Sequence, residues 1–208
     1  MRFKDRREAG VMLADKLKRY AGKEVVIYAV PRGGVVLGAE IAKALQAPLD
    51  LVITRKIGHP NNPEYAVCVV AENHDILCNP SEKAVLDPEW LDRAVEEERQ
   101  EAIRRRKAYL GDRARPAVAG KTAIVVDDGV ATGMTFLLAF REVRHLKPAK
   151  LVAAIPVLPA EMLEKIKKEA DEVVYLDAPE DFLGAVGSYY DQFPQVSDDE
   201  VIRLLAGV

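Results

Sequence analysis

Two adjacent carboxylates, Asp127 and Asp128, come directly after the mostly β-branched apolar run at 122–126, a pattern typical of a buried strand. Neighbouring carboxylates at a strand end repel each other unless a cation or hydroxyl donors compensate them. The next segment, 131–135, offers threonine hydroxyls and backbone N–H groups at a predicted helix N-terminus, which is a physical anion site. A polyol that carries a phosphate satisfies both halves, and ribose 5-phosphate has that shape.

Two further segments carry groups that could contact the same ligand. Arg32, Gly33 and Gly34 follow the apolar run 25–30, and Arg55 and Lys56 follow the run 49–54. Taken singly, the first is explained as a tight turn and the second as solvated charges. Ligands of an open parallel sheet bind at the carboxyl ends of its strands, so we expect the three segments to lie together.

The elements that must position these residues alternate between strand and helix. Strands are predicted at 25–30, 49–54, 122–127, 150–157 and 172–176. Helices are predicted at 5–20, along the pattern of Leu37, Ile41 and Leu45, at 132–146, at 160–169 and after Ser197, which caps the last one. This alternation predicts an α/β fold: an open, mostly parallel twisted sheet flanked by helices. The length of 208 residues favours a single domain over 1–208.

The segment between the second and third core strands interrupts the alternation. Prolines, a glycine and asparagines predict a loop at 55–65, and short apolar runs at 66–70 and 75–78 predict a hairpin, so 57–75 is expected to be a flexible flap. Residues 87–110 predict a charged, exposed helix within an insertion at 80–113. It could cover the site, contact another subunit or lie in solvent.

Composition limits the classes of partner. A net charge of -3 argues against a general attraction to nucleic acid or to an anionic membrane. The absence of a long apolar run and the charged start predict a cytoplasmic protein. Cys68 and Cys78 are interpreted as two small buried hydrophobes rather than a disulfide, and three scattered histidines predict no zinc site.

The run IVVDDGVATGMT resembles the fingerprint of type I phosphoribosyltransferases. The order of the neighbouring segments is also similar to that family: a short loop after the first core strand, a basic residue after the next, then a flap. The resemblance covers about residues 24–192. It implies Mg²⁺-dependent transfer of ribose 5-phosphate from phosphoribosyl pyrophosphate to a nitrogenous acceptor, expected to be a nucleobase, with release of pyrophosphate, by a homodimer.

The resemblance also implies a role for each segment. Asp127 and Asp128 would bind the ribose hydroxyls, directly or through magnesium, and Arg55 or Lys56 would neutralise the leaving group. The loop of Arg32, Gly33 and Gly34 would hold the pyrophosphate and often contains a non-proline cis peptide in this family. The 5-phosphate would be held by Ala131, Thr132, Gly133, Met134 and Thr135.

The tail, 177–208, resembles the hood that covers the base in purine-salvage members. Phe182, Tyr189 and Tyr190 could form a platform for the base, or could equally be core and dimer-contact aromatics. Asp191 matches an aspartate near magnesium in that family. Ala131 stands where enzymes acting on 6-oxopurines carry an aspartate, which argues against that mechanism without naming the acceptor.

Two questions stay open at the level of sequence. A general acid or base, if needed, could come from the flap, although each candidate is as readily a solvated loop residue; the candidates are His59, Glu64, Glu72 and His74. The alternative function is a non-catalytic regulator that binds phosphoribosyl pyrophosphate or a nucleotide.

Overall fold

A computed structural model describes residues 1–73 and 75–208 of the chain. Its helices are α1 (Arg6–Leu17), α2 (Gly33–Leu45), α3 (Pro80–Lys83), α4 (Pro88–Leu110), α5 (Met134–His145), α6 (Ala160–Lys167) and α7 (Asp198–Ala206). Its strands are β1 (Val25–Ala29), β2 (Leu49–Leu51), β3 (Thr54–His59), β4 (Asn62–Ala71), β5 (Ile76–Cys78), β6 (Thr122–Val126), β7 (Lys150–Val157) and β8 (Glu172–Asp177). Helices with the 3-10 geometry span Lys18–Tyr20 and Val186–Tyr189.

Five parallel strands form the main sheet in the order β2-β1-β6-β7-β8. Successive side chains of each strand point to opposite faces, so Ile124 and Val126 join one hydrophobic core while Ala123 and Val125 join another. Helices α1, α2 and α7 cover the first face, and α5 and α6 cover the second. The predicted open parallel sheet flanked by helices is confirmed.

A second sheet of three antiparallel strands, β3-β4-β5, contains the segment predicted as a loop at 55–65. That prediction is wrong: only residues 60 and 61 form the turn of a hairpin. The register shifts around Gly58, where an added Cβ would lie 2.1 Å from the carbonyl oxygen of Pro63. β5 pairs only with residues 68–70 of β4, so Pro63 lies where β4 pairs with β3 alone and its missing N–H is tolerated.

Cys68 and Cys78 form a disulfide, so the interpretation as two unlinked small hydrophobes is wrong. They are directly opposed across the β4–β5 pair, with Cα atoms 4.0 Å apart. The reasoning from two cysteines in the whole chain could not detect this, because the pairing depends on the register of a hairpin.

The predicted charged helix is present as α4, which begins after Asp87; this residue accepts the N–H of Trp90 at 2.8 Å. Its apolar stripe packs against the second sheet through Leu91, and Ala102 and Tyr109 join the core of the main sheet. α4 therefore connects the two sheets. None of the helices in the described part of the chain is long and apolar enough to cross a membrane.

The C-terminal segment returns to the start of the chain. Phe3 pairs with Tyr190 in an isolated parallel bridge, and their rings lie 5.3 Å apart. Ser197 caps α7 by accepting the N–H of Glu200 at 3.2 Å, as the sequence predicted. The first residues of the chain thus pack against the C-terminal segment.

Candidate functional site

A cleft of about 300 Å³ opens at the carboxyl ends of β1 and β6. The chain leaves β1 toward β2 on one side of the sheet and later returns to place β6 on the other, so the cleft lies where the strand order reverses. Residues from all three predicted segments line it, together with one residue of the C-terminal segment. They include Arg32, Gly33, Lys56, Asp127, Asp128, Ala131, Thr132, Gly133, Thr135 and Val186.

The loop after β1 approaches the carboxylates closely. The Pro31–Arg32 peptide is cis, as expected for this loop from the resemblance. A Cβ at Gly33 would lie 1.8 Å from Oδ2 of Asp128, and one at Gly34 would lie 2.8 Å from the carbonyl oxygen of Val126. At Gly34 only glycine fits, because the start of α2 packs directly against the backbone at the end of β6, whereas a side chain at Gly33 would displace the carboxylate of Asp128.

The two adjacent carboxylates are in different environments. Oδ1 of Asp127 accepts the backbone N–H of Asp128 at 2.8 Å. Burial and the neighbouring Asp128 raise the pKa of Asp127 well above its usual range. Burial also raises the pKa of Asp128, but the guanidinium of Arg6 opposes that shift. The pair therefore resists carrying two negative charges without a compensating ligand.

Arg6 is a site residue that the sequence reasoning missed. Its Nε donates to Oδ2 of Asp128 at 2.7 Å, and its side chain is only 10% exposed. A signal was present, since Arg6 is in phase with Ala9, Leu13 and Leu17 on the buried face of α1. A charged residue on the apolar stripe of a helix indicates a buried partner.

The turn after β6 leads into the N-terminus of α5. Gly133 has a φ of 83°, and a Cβ there would lie 2.4 Å from the sulfur of Met162. Thr132 and Thr135 line the cleft beside this turn. The first N–H groups of a helix have no partner within the helix and carry its positive dipole, so α5 and α2 both present anion-binding ends to the cleft.

The structure separates the two basic candidates at the start of β3. Lys56 lines the cleft, whereas Arg55 points to α4 and donates from Nε to Glu98 at 2.7 Å. Arg55 and Lys56 are neighbours in a strand and therefore point to opposite faces of the second sheet. The loop predicted at 55–65 does not imply this separation. The geometry thus brings one of the two candidates to the carboxylates.

A second, wider pocket of about 620 Å³ shares Ala131 and Thr132 with the cleft. Phe182 lines it and stacks on Tyr189, with ring centroids 5.1 Å apart. Tyr189 is only 4% exposed, and its hydroxyl accepts the N–H of Leu183 at 2.9 Å. Phe182 is therefore available to a ligand, whereas Tyr189 supports it from the core.

The remaining candidates lie elsewhere. Asp191 is on the surface, paired with Nε of Arg2 at 2.5 Å, and does not line the cleft. His59 lines a separate pocket under the β3–β4 hairpin, and Glu64 is exposed on β4. Glu72 pairs with Arg115 at 2.6 Å, away from the cleft.

His74, the fourth acid or base candidate, lies outside the described residues. Within residues 1–73 and 75–208, no group of three or more His, Cys, Asp or Glu side chains is arranged to hold a metal ion.

Comparison with known proteins identifies the family. The model of the "Phosphoribosyl transferase domain" family matches residues 6–193. Proteins of two Mycobacterium tuberculosis strains, named "Putative phosphoribosyl transferase MT0597" and "Putative phosphoribosyl transferase Rv0571c", are each 39% identical over 205 residues. The match covers 98% of this chain and 46% of each relative, so the chain spans about half the length of the curated relatives it matches.

A solved structure agrees over nearly the whole chain. The crystal structure of TT1426 from Thermus thermophilus is 39% identical, has a TM-score of 0.81, and is matched over 99% of this chain and 98% of that one. The family match includes the cleft and every segment that lines it. The chain belongs to the phosphoribosyl transferase domain family.

Proposed function

We propose that the chain transfers the 5-phosphoribosyl group of phosphoribosyl pyrophosphate to a nitrogenous acceptor and releases pyrophosphate. The observation that supports this function is the convergence of three chain segments on one cleft. One segment supplies carboxylates, and the other two supply groups that bind anions. A donor with a diol between two phosphate groups needs this combination.

The ribose and its 5-phosphate fit the β6–α5 segment. Asp127 and Asp128 accept hydrogen bonds from the two ribose hydroxyls. The N-terminus of α5 and the hydroxyls of Thr132 and Thr135 bind the 5-phosphate. Gly133 keeps the turn free of a side chain, so that the backbone can approach the phosphate.

The pyrophosphate fits the opposite wall of the cleft. The backbone of Arg32 and Gly33 at the N-terminus of α2 binds its oxygens, and Lys56 places a positive charge beside them. The bond from the anomeric carbon to pyrophosphate breaks as negative charge grows on the leaving group. Donors that are already oriented toward that charge stabilise the transition state more than the ground state.

Mg²⁺ fits the chemistry of the donor set at the cleft. The two carboxylates are oxygen ligands of the kind that Mg²⁺ prefers. A bound Mg²⁺ would neutralise charge on the pyrophosphate. Asp127 and Asp128 are the residues that would hold it, because their mutual repulsion is relieved by a cation.

The acceptor fits the wider pocket beside the cleft. That pocket adjoins the phosphate-binding turn at Ala131 and Thr132 and presents the ring of Phe182. A planar heterocycle stacked on Phe182 would lie next to the ribose. The two charged residues among its lining are Glu161 and Glu180, which are both acidic and exposed. They favour a base with amino groups over an anionic base.

The catalytic function is tested by release of pyrophosphate. Purified protein with phosphoribosyl pyrophosphate and Mg²⁺ is incubated with adenine, guanine, xanthine, uracil or orotate in turn. The proposal expects pyrophosphate and a nucleotide product with at least one acceptor. Tight binding of the donor without turnover in any mixture would favour the alternative, a regulator that senses the donor or a nucleotide.

The acceptor preference is tested with the double variant Glu161→Gln/Glu180→Gln. We expect it to lower the ratio of kcat/KM for adenine to kcat/KM for orotate by about threefold to tenfold. The effect is modest because charges near the protein surface interact weakly through solvent. The matched control is Glu164→Gln, on the same helix but outside the pocket. An unchanged ratio in the double variant would contradict the acidic contribution to specificity.

The proposal includes a homodimer as the assembly. Sedimentation equilibrium over a range of protein concentrations measures this directly. A mass near twice the 23.0 kDa of the chain is expected. A mass of one chain at every concentration would remove this part of the proposal.

A further inference from the structure

We infer that Arg6 is a positioning residue for Asp128. It links the carboxylate of Asp128, which binds the substrate in the proposed function, to the C-terminal segment that borders the acceptor pocket. This inference rests on the proposed function, because it concerns how the ribose-binding carboxylate is held. Arg6 lies 122 positions from Asp128 in the chain. The contact therefore joins α1 to the turn between β6 and α5.

The geometry around Arg6 is that of a fixed clamp. Its Nε bonds to Asp128 and its Nη1 donates to the carbonyl oxygen of Pro194 at 2.6 Å. The carbon of the guanidinium lies 3.6 Å from the centre of the ring of Phe193. A planar guanidinium can make all three contacts at once, and an ammonium cannot reproduce them.

Asp128 is held at its backbone as well as at its side chain. Its carbonyl oxygen accepts the hydroxyl of Tyr190 at 2.6 Å, and its N–H donates to Asp127. Tyr190 and Phe193 belong to the same C-terminal segment, and their rings lie 4.9 Å apart. Two residues of this segment thus help to hold Asp128: Tyr190 through the backbone carbonyl group of Asp128, and Phe193 through Arg6.

The bond from Arg6 leaves Asp128 able to bind a ligand. It occupies one oxygen of a carboxylate that can accept about four hydrogen bonds. The side chain of Asp128 is 16% exposed and lines the cleft. A group that fixes one oxygen reduces the conformational freedom that ligand binding would otherwise remove, so it raises affinity without touching the ligand.

Calorimetric titration with phosphoribosyl pyrophosphate and Mg²⁺, without an acceptor, tests this role. Arg6→Met is expected to raise Kd about tenfold or more, and Arg6→Lys is expected to restore part of the loss by keeping the charge. The matched control is Arg7→Met, whose side chain is 66% exposed and pairs with Glu40 rather than with a residue of the cleft. It is expected to bind as the wild type does.

A double-mutant cycle separates positioning from a structural role. In an Asp128→Asn background, Arg6→Met should change Kd by less than about twofold, because the partner charge is already gone. A folded Arg6→Met protein that binds the donor as the wild type does, or losses that add fully in the double variant, would overturn the inference. Arg6→Gln replaces Arg6→Met in both comparisons if the methionine variant does not fold. Failure of the wild type to bind would instead contradict the proposed function, and the inference with it.

Discussion

Two regions of this molecule gather charged side chains beneath the surface, and they use them differently. The cleft holds Asp127 and Asp128 against the helix N-termini and opens to solvent. A buried charge cluster lies between β2, α4 and the turn after β4 and consists of Asp50, Glu72 and Arg106, with the more exposed Arg115 at its edge. Residue types alone do not distinguish the two regions. The difference is whether the charges are compensated by the protein itself.

In the buried charge cluster the protein supplies the partners. Nη2 of Arg106 binds both oxygens of Asp50, at 2.7 and 3.0 Å, and its Nη1 donates to the carbonyl oxygen of Leu51. In the cleft, Arg6 compensates Asp128, while burial and Asp128 raise the pKa of Asp127. An open cleft with incompletely compensated charge indicates a ligand site, whereas a closed and paired cluster indicates a structural role.

The substitution with the largest expected effect on stability removes a partner from the buried charge cluster. Arg106→Met leaves Asp50 buried beside an apolar side chain, so the free energy of unfolding should fall by about 3–5 kcal/mol. Chemical denaturation measures this, and affinity for phosphoribosyl pyrophosphate in the folded variant should not change. Arg104→Met, on the same helix but 66% exposed, is the control and should unfold as the wild type does. A large loss of affinity in Arg106→Met with full stability would reverse the comparison.

The second prediction concerns the cleft. Gly33→Ala places a Cβ where Oδ2 of Asp128 lies, so the carboxylate must move while the backbone can stay. We expect affinity for the donor to fall by about 100-fold, which corresponds to the loss of a charge-assisted contact, and the free energy of unfolding to fall as well, because the buried pair of Arg6 and Asp128 is disturbed. Gly207→Ala, where the nearest atoms to an added Cβ are 3.7 Å away, is the control for both measurements. Equal donor affinity in the two variants would contradict the prediction.

The prediction with the smallest expected effect concerns the pH dependence of stability and the buried carboxyl group of Glu142 on α5. Glu142 is 5% exposed, and burial, followed by repulsion from Asp75 and Glu72, raises its pKa to about 8. The unfolded chain loses this proton near pH 4.5, so the group lowers stability progressively as pH rises from about 4.5 to 8. Glu142→Gln cannot ionise and should be more stable than the wild type by about 1 kcal/mol or more at pH 8.5, and nearly equal at pH 4.5.

Denaturation curves at the two pH values check this, with the exposed Glu24→Gln as the control. The same gain at both pH values would show that the effect arises from packing rather than from ionisation of Glu142.

The sequence was sufficient for the parallel sheet and for the cleft segments because both depend on local patterns. The apolar run before Asp127, the glycines after β1 and the small residues before α5 each imply a strand end or a tight turn. Parallel strands then bring such ends to one edge of a sheet. The outer boundaries of β1, β6 and β8 accordingly differ from the predicted ones by one residue.

The parts that were not predicted depend on pairings that the local sequence pattern does not specify. Arg6 reaches Asp128 only because α1 packs beside the C-terminal segment, and Cys68 meets Cys78 only in one register of the hairpin. The same limit applies to the basic residues of α4, where Arg104 and Arg105 pair along the helix with Glu101 but Arg106 turns inward to Asp50. The helical period places residues on faces without identifying the partner of a face.

The central claim is that the two carboxylates of the cleft hold the ribose of phosphoribosyl pyrophosphate, and one calorimetric comparison tests it most directly. The wild type is titrated with the donor in the presence and absence of Mg²⁺, beside a folded Asp127→Asn/Asp128→Asn variant. We expect Mg²⁺-dependent binding to the wild type and a loss of that binding in the variant. A folded wild type that does not bind the donor, or a variant that binds as well as the wild type, would contradict it.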